Sequence, residues 1–235
     1  VETQEEYAVL KDLGFNYFQG YFFCKPSVLS RPRLPDTHIN TLQLLSDLQN
    51  PSVAFNQIES LLSRDISLSY KLLRYINSAH FALPRKITSI QEAATYLGLD
   101  SLRTWASLLI MAGASEKPAE LILVGLTRAK ICESLATESA YSDPSAYFIV
   151  GLFSILEALL DHPMQKILQQ LPLSPEISTA LVDREGKMGE ALLCSLAFET
   201  DNIVDIHFSD LNQQSIFRLC LEALVWSRQV IENVE

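Results

Sequence analysis

SLSYKLLRYINSAHFALPRKITSIQEAATYLGLDSLRTW, residues 67–105, decides the fold. Leu68, Leu72, Leu73 and Ile76 recur at helical spacing, so the first third reads as a helix with one apolar face. Asp65 and Ser67 stand ahead of it as candidate N-caps. Asn77 ends the apolar stripe. Its amide has two N–H donors and one acceptor to satisfy, which suits cross-linking a helix end to a loop better than contacting a ligand. Pro84 then breaks the chain. Ser89 and Glu92 have the S-x-x-E spacing of a capping box, which predicts a helix start there and a run to Gly98. Asp100 caps a following helix that begins SLRTWASLLIMAG.

The same period extends outward on both sides. Ile39, Leu42, Leu45 and Leu48 form a stripe before the central stretch, and Phe55, Ile58 and Leu62 form another. After it, helices are expected over roughly 118–140, 144–160, 163–170, 174–184 and 187–199, with a last one from about Leu211 to Val234. In that last helix Ile216, Leu219, Ala223, Trp226 and Val230 are spaced like a coiled-coil seam. Leu221, Leu224, Val225 and Ile231 widen the stripe, which favours packing against the domain core. With no convincing strand pair after residue 36, the fold class is an all-α bundle of eight or more helices.

Residues 1–29 differ. VETQEEYAVLKDLG predicts a helix from about Gln4 to Leu13, closed by Gly14, and FNYFQGYFF alternates like a short strand. SRPRLPDT, with two prolines, reads as a linker. Val1, with no initiator Met ahead of it, suggests a piece of a longer protein.

Composition narrows the function. A chain of 235 residues buries enough surface to fold without disulfide or metal staples. Its formal net charge of −10 argues against sequence-independent nucleic-acid binding and against an anionic membrane surface. Arg31-Pro32-Arg33 and Pro84-Arg85-Lys86 are short, solvated basic spots. Cys24, Cys132, Cys194 and Cys220 form no CxxC and sit among apolar residues, so reduced thiols in a cytoplasmic protein are expected. No run of 18 apolar residues occurs, and no signal peptide is visible.

Chemistry-bearing motifs are sparse. Neither a nucleophile elbow nor a glycine-rich phosphate loop is present. No two of His38, His80, His162 and His207 lie within ten residues of each other. Asp161-His162 is an adjacent acid–His pair, but neighbouring helical positions point about 100° apart and Pro163 follows, so a solvated helix boundary is the simpler reading.

The stretch 67–105 resembles the signature of HDOD domains: a helix ending L-L-R-x-x-N-S-A, a K-I-T-S-I loop, and an A-x-x-x-L-G-x-x-x-L-R helix pair. Arg74, Asn77, Ser78, Lys86, Ser89, Gly98 and Arg103 carry that likeness, which extends from about Leu34 to the C-terminus. HDOD domains are relatives of the HD phosphohydrolases that lack the metal-binding His-Asp pair. AYFIVGLFSILEALL is similar to the helix that carries G-L-L-H-D in the enzymes, which puts Ser154 and Ile155 in the two ligand positions. LTRAKICESLA resembles the helix that supplies an earlier histidine, and it has none. The resemblance therefore implies no metal, no cofactor and no hydrolysis at this site.

VETQEEYAVLKDLGFNYFQGYFFCKP, 1–26, resembles the end of an EAL cyclic di-GMP phosphodiesterase barrel, with Glu2, Gln19 and Gly20 in the matching pieces. One βα unit cannot close a barrel. The implied organisation is an EAL remnant over 1–29, a linker over 30–36 and an HDOD domain over 37–235. The implied function is a non-catalytic bacterial signalling or scaffold module acting on protein partners, with no nucleic acid and no membrane. Cyclic di-GMP would then enter only through the upstream EAL region. Two alternatives stay open: a phosphohydrolase using Glu157, Asp161 and His162, and a ligand sensor built on Arg85, Lys86 and Arg103.

Overall fold

The computed structural model describes residues 4–15, 36–50, 52, 54–63, 66–77, 85–113, 119–200, 202 and 206–234. Among these every regular element is a helix, thirteen in all. Apart from Phe15, the expected strand over FNYFQGYFF lies outside the described residues, as do Cys24 and most of the linker.

Helix α1 spans Gln4–Asp12, α2 Asp36–Gln49, α3 Phe55–Ser63, α4 Ile66–Ile76, α5 Ile90–Leu97 and α6 Leu99–Gly113. Helix α6 is the floor of this first group and touches α2, α3, α4 and α5. The stripes read from the sequence supply its core: Leu42, Leu45, Leu48, Ile58, Leu62, Leu72 and Ile76 are buried. Asn77 pins α4 to the following loop. Its Nδ2 donates to the Leu73 and Ile87 carbonyls, both at 2.7 Å, while its Oδ1 accepts from the Ile87 N–H at 2.7 Å. We therefore expect Asn77→Asp to lose more stability than Asn77→Ala. The carboxylate sets charge against two carbonyls that need donors, whereas alanine removes three bonds at roughly 1–3 kcal/mol for the groups left unpaired. Urea unfolding of both variants checks the order.

Half of the capping box expected at the start of α5 forms as drawn. The Ser89 hydroxyl accepts from the Glu92 N–H at 3.1 Å. The returning carboxylate binds one residue further back: Glu92 takes the Thr88 N–H at 2.8 Å and pairs with Arg85 at 3.0 Å. Those bonds hold the Glu92 carboxyl below its usual range. Gly98 joins α5 to α6 at φ 82, ψ 161, a conformation closed to residues with a side chain.

The second group contains α7 (Ala119–Glu138), α8 (Pro144–Phe153), α9 (Leu156–Leu160), α10 (Met164–Leu168), α11 (Pro175–Val182), α12 (Gly186–Glu199) and α13 (Gln213–Val234). Helix α7 is its hub and packs on α8, α12 and α13; α13 also reaches back to α4 and links the two groups. Ile216, Leu219, Ala223, Trp226 and Val230 of α13 are buried in the core, so no coiled-coil seam is left open. Leu221 and Val225, expected to widen that stripe, instead face solvent at 57% and 60% exposure. They fall on the far side of the 3.6-residue turn from Ala223 and Trp226.

The helix expected over 144–160 is two helices. Helix α8 stops at Phe153, and Ser154 and Ile155 form a turn before α9. The Ser154 hydroxyl donates to the Gly151 carbonyl at 2.7 Å. A side chain that takes up a backbone acceptor competes with helix continuation, which accounts for the break.

Candidate functional site

Gly151 sets how close α7 and α8 come. A Cβ at Gly151 would lie 2.4 Å from the Ala129 nitrogen and 2.5 Å from the Ala129 Cα and the Arg128 carbonyl carbon. The two helices thus touch backbone to backbone, and the turn after Gly151 is pressed onto the middle of α7.

Ser154 and Ile155, the two residues singled out in the sequence, meet α7 there. Ser154 accepts from Arg128 Nη1 at 3.1 Å. Ile155 is 1% exposed and fills the space left by Gly125, whose added Cβ would meet the Ile155 Cδ1 at 2.7 Å. Arg128 is the unexpected member. It lies on the buried face of α7 with its side chain 5% exposed, and it forks onto Glu199 at the end of α12. Nε reaches Oε1 and Nη2 reaches Oε2, each at 2.7 Å. One guanidinium therefore joins α7, the α8–α9 turn and α12.

The chemistry of the centre follows. A guanidinium keeps its charge at any working pH and has donors only. Two parallel bonds to a carboxylate are the strong, directional form of such a pair. Glu199 ends α12, where the helix dipole disfavours an acid, and Arg128 offsets that as well. Arg128, Ser154 and Ile155 do not make a ligand set for a cation: one is itself cationic, one already donates and accepts within the protein, and one is hydrocarbon.

The other candidate residues are not brought together with this centre. Asp161 is the left-handed C-cap of α9 at φ 51, and His162 Nδ1 sits 3.2 Å from the Asp161 carbonyl oxygen. Glu157 lies in the first turn of α9. Among the described residues no group of three or more His, Cys, Asp or Glu is placed to hold a metal. Arg85 pairs with Glu92 and Arg103 with Asp100, at 3.0 and 3.5 Å, so each arginine of the suggested sensor faces its own carboxylate. Arg74 and Lys86 are exposed. Ser78, Glu2, Gln19 and Gly20 lie outside the described residues. Cys132, Cys194 and Cys220 are buried free thiols, and burial pushes Cys194 up to about 11 and Cys220 to about 12, which leaves them protonated and unreactive.

Elsewhere on α7, the Thr127 and Ser227 hydroxyls meet at 2.8 Å and fix α13. Beside them Lys130 lies 5.2 Å over the Trp226 ring and pairs with Glu133 at 2.7 Å. Trp105, Phe148 and Trp226 pack edge and face within about 6 Å of one another, beneath a shallow cleft of about 180 Å³. These groups are mostly consumed by one another.

Comparison with known proteins agrees with the geometry. The profile of the HDOD domain matches residues 32–187, well over half of the chain. A Vibrio cholerae protein named cyclic di-GMP phosphodiesterase CdgJ is 35% identical across 98% of this chain and 55% of its own length. An uncharacterized Bacillus subtilis protein, YuxH, is 32% identical across 99% of this chain and 58% of its own. The chain thus spans little more than half the length of these relatives. In solved structures the fold recurs in a Shewanella amazonensis protein described provisionally as a phosphohydrolase, with TM-score 0.62, 15% identity, and 87% of this chain and 95% of that one covered. It recurs also in a Geobacter sulfurreducens HDOD domain protein, with TM-score 0.59, 17% identity, and 87% and 93% covered. The all-helical architecture, the signature over 67–105 and the profile match agree: this chain is a member of the HDOD domain family.

Proposed function

We propose that this chain is a non-catalytic signalling module whose HDOD domain acts by binding other proteins. The observation that carries the reading is the Arg128–Ser154–Glu199 centre. A fixed positive charge and the hydrocarbon side chain of Ile155 stand where the related enzymes would need metal ligands. A catalytic metal requires several lone-pair donors and an open position; here the Glu199 carboxylate is engaged by Arg128 and Ile155 supplies no donor. The reading extends to organisation: residues 1–29 as the end of an EAL-type barrel, 30–36 as linker and 37–235 as the HDOD domain. Support for that comes from the relatives, which match nearly the whole chain and are almost twice as long, one of them named a cyclic di-GMP phosphodiesterase. It comes also from Val9, Leu13 and Phe15, apolar residues on and just after α1 that stay more than half exposed here. A barrel preceding them would cover that face.

The test has two parts. The purified chain, analysed for Mn, Fe and Zn after expression in metal-supplemented medium, is expected to hold far less than one atom per chain. It is also expected to leave cyclic di-GMP intact, while a longer version that includes the upstream region hydrolyses it. A stoichiometric, tightly held transition metal would refute the non-catalytic reading. Equal hydrolysis by the chain alone would refute the assignment of that activity to the upstream region.

A further inference from the structure

A cleft of about 420 Å³ opens between α8, the first turn of α11 and the start of α12, away from the Arg128 centre. Its apolar surface comes from Tyr147, Pro175 and Met188, and Glu176 and Glu185 stand on its lip. Two features of the cleft are unfinished. Neither Glu176 nor Glu185 has an ion pair among the described residues, although both are exposed; Lys187, which also lines the cleft, is held by Glu190 at 2.7 Å. Tyr147 is 4% exposed, and its hydroxyl has no hydrogen-bond partner among the described residues. The phenol oxygen is not sealed off, so it is open to a partner in the cleft that Tyr147 lines.

The walls are prearranged. Arg184 takes a left-handed conformation at φ 61 in the α11–α12 turn. Its Nη1 donates to the Ala180 and Leu181 carbonyls at 3.3 and 2.5 Å, which closes the C-terminus of α11 and fixes where Glu185 emerges. Tyr147 packs against Tyr141 with ring centroids 5.7 Å apart. Its own N–H and the Ser174 hydroxyl keep the Glu176 carboxyl below its usual range, so that charge is present at any physiological pH. Burial raises the Tyr147 phenol to about 12, so it stays neutral and can both give and take a hydrogen bond.

Neither nucleic acid nor an anionic surface fits a cleft lipped by two carboxylates on a chain of net charge −10. With the Lys187 charge answered by Glu190, a long cationic side chain fits the two carboxylates, the apolar wall and the phenol. We propose that this cleft is a docking site for a basic segment of a protein partner, one of whose arginine or lysine side chains enters it. The aliphatic stem lies along Met188 and Pro175, and the charged head reaches Glu176, Glu185 and the Tyr147 oxygen. This deepens the interaction reading, and the two can fail separately, because the experiment reads binding and not metal content or hydrolysis.

The probe is N-acetyl-arginine N-methylamide, titrated into the 15N-labelled chain and followed by amide shifts, with the citrulline analogue as the uncharged isostere. A single side chain is expected to bind with a dissociation constant of about 1 mM, and a peptide carrying Leu-Arg-Leu-Leu-Arg more tightly. Saturable shifts should centre on Thr179, Glu185, Gly186 and Lys187. Citrulline should bind at least about tenfold more weakly, since it keeps the shape and loses the charge. The Glu176→Gln/Glu185→Gln variant should lose at least as much, and Tyr147→Phe about threefold, with both folding normally because each change is isosteric. Three results would overturn the proposal: citrulline binding as well as arginine, the double glutamine variant binding as the parent does, or neither arginine probe shifting these amides at ten times the expected dissociation constant.

Discussion

Glu199→Ala is expected to destabilise the fold by roughly 3–5 kcal/mol, because it removes both 2.7 Å carboxylate bonds from a permanently charged guanidinium whose side chain is 5% exposed. For a chain of this size that is a fall in Tm on the order of 10 °C. The partner substitution should cost less. Arg128→Met leaves behind Glu199, whose side chain keeps a fifth of its surface in solvent and can turn outward. The methionine also retains most of the buried stem. The double variant Arg128→Met/Glu199→Leu should come back to within about 1–2 kcal/mol of the parent, since a desolvated pair replaced by hydrocarbon of similar volume is often neutral. Thermal unfolding of all four proteins in one double-mutant cycle decides the matter. If Glu199→Ala and Arg128→Met cost the same small amount, the pair is a surface interaction and not the buried clamp described above.

Gly151→Ala is the second large effect, and here two terms oppose each other. Alanine is the better helix former by about 1 kcal/mol at an internal helical position. Against this, the new Cβ would be placed 2.4 Å from the backbone nitrogen of Ala129, where no rotamer can relieve it. Helices α7 and α8 must separate, and overpacking of a tight core costs about 3 kcal/mol or more. The clash wins, so a net loss of at least about 2 kcal/mol is expected, and Gly151→Val should prevent folding at 37 °C. Gly125→Ala is the control. Its Cβ would meet only the movable end of Ile155, so its cost should stay near or below 1 kcal/mol. Urea midpoints that are lowest for Gly151→Val, higher for Gly151→Ala and highest for Gly125→Ala would confirm the asymmetry.

What the sequence shows of this molecule divides along physical lines. The helices and their inward faces were legible because burial imposes a 3.6-residue period on composition; Leu42, Leu45 and Leu48, or Ile216 through Val230, are examples. Asn77 was legible because an amide at the end of an apolar stripe has few places to go. The break at Ser154–Ile155 was not, since Ser-Ile is compatible with a helix and only the hydroxyl bond to Gly151 reveals the turn. The end of the last stripe was overdrawn for a related reason: Leu221 and Val225 are apolar yet exposed, and hydrophobicity alone does not assign a face. At the site, the absence of histidine from LTRAKICESLA was visible, but the meaning of the arginine in it was not. A signal existed. Arg128 falls in register with Leu121, Gly125, Cys132 and Leu135, so a charge on the buried face demanded a carboxylate somewhere. The partner, Glu199, lies 71 residues on, and helical spacing carries no information across that distance.

The guanidinium clamp also bears on what this chain could become. Suppose metal ligands were introduced one codon at a time. A histidine at Ser154 would displace the hydroxyl that Arg128 binds, an aspartate at Ile155 would be sealed in hydrocarbon beside Gly125, and loss of Arg128 alone would leave Glu199 without its counter-charge. Each first step costs a sizeable part of the roughly 5–15 kcal/mol that separates a folded domain from an unfolded one, and none yields chemistry until several others are in place. The centre thus resists conversion into a metal site one substitution at a time. It leaves much of the exposed surface free to vary while making each single step toward a set of metal ligands costly.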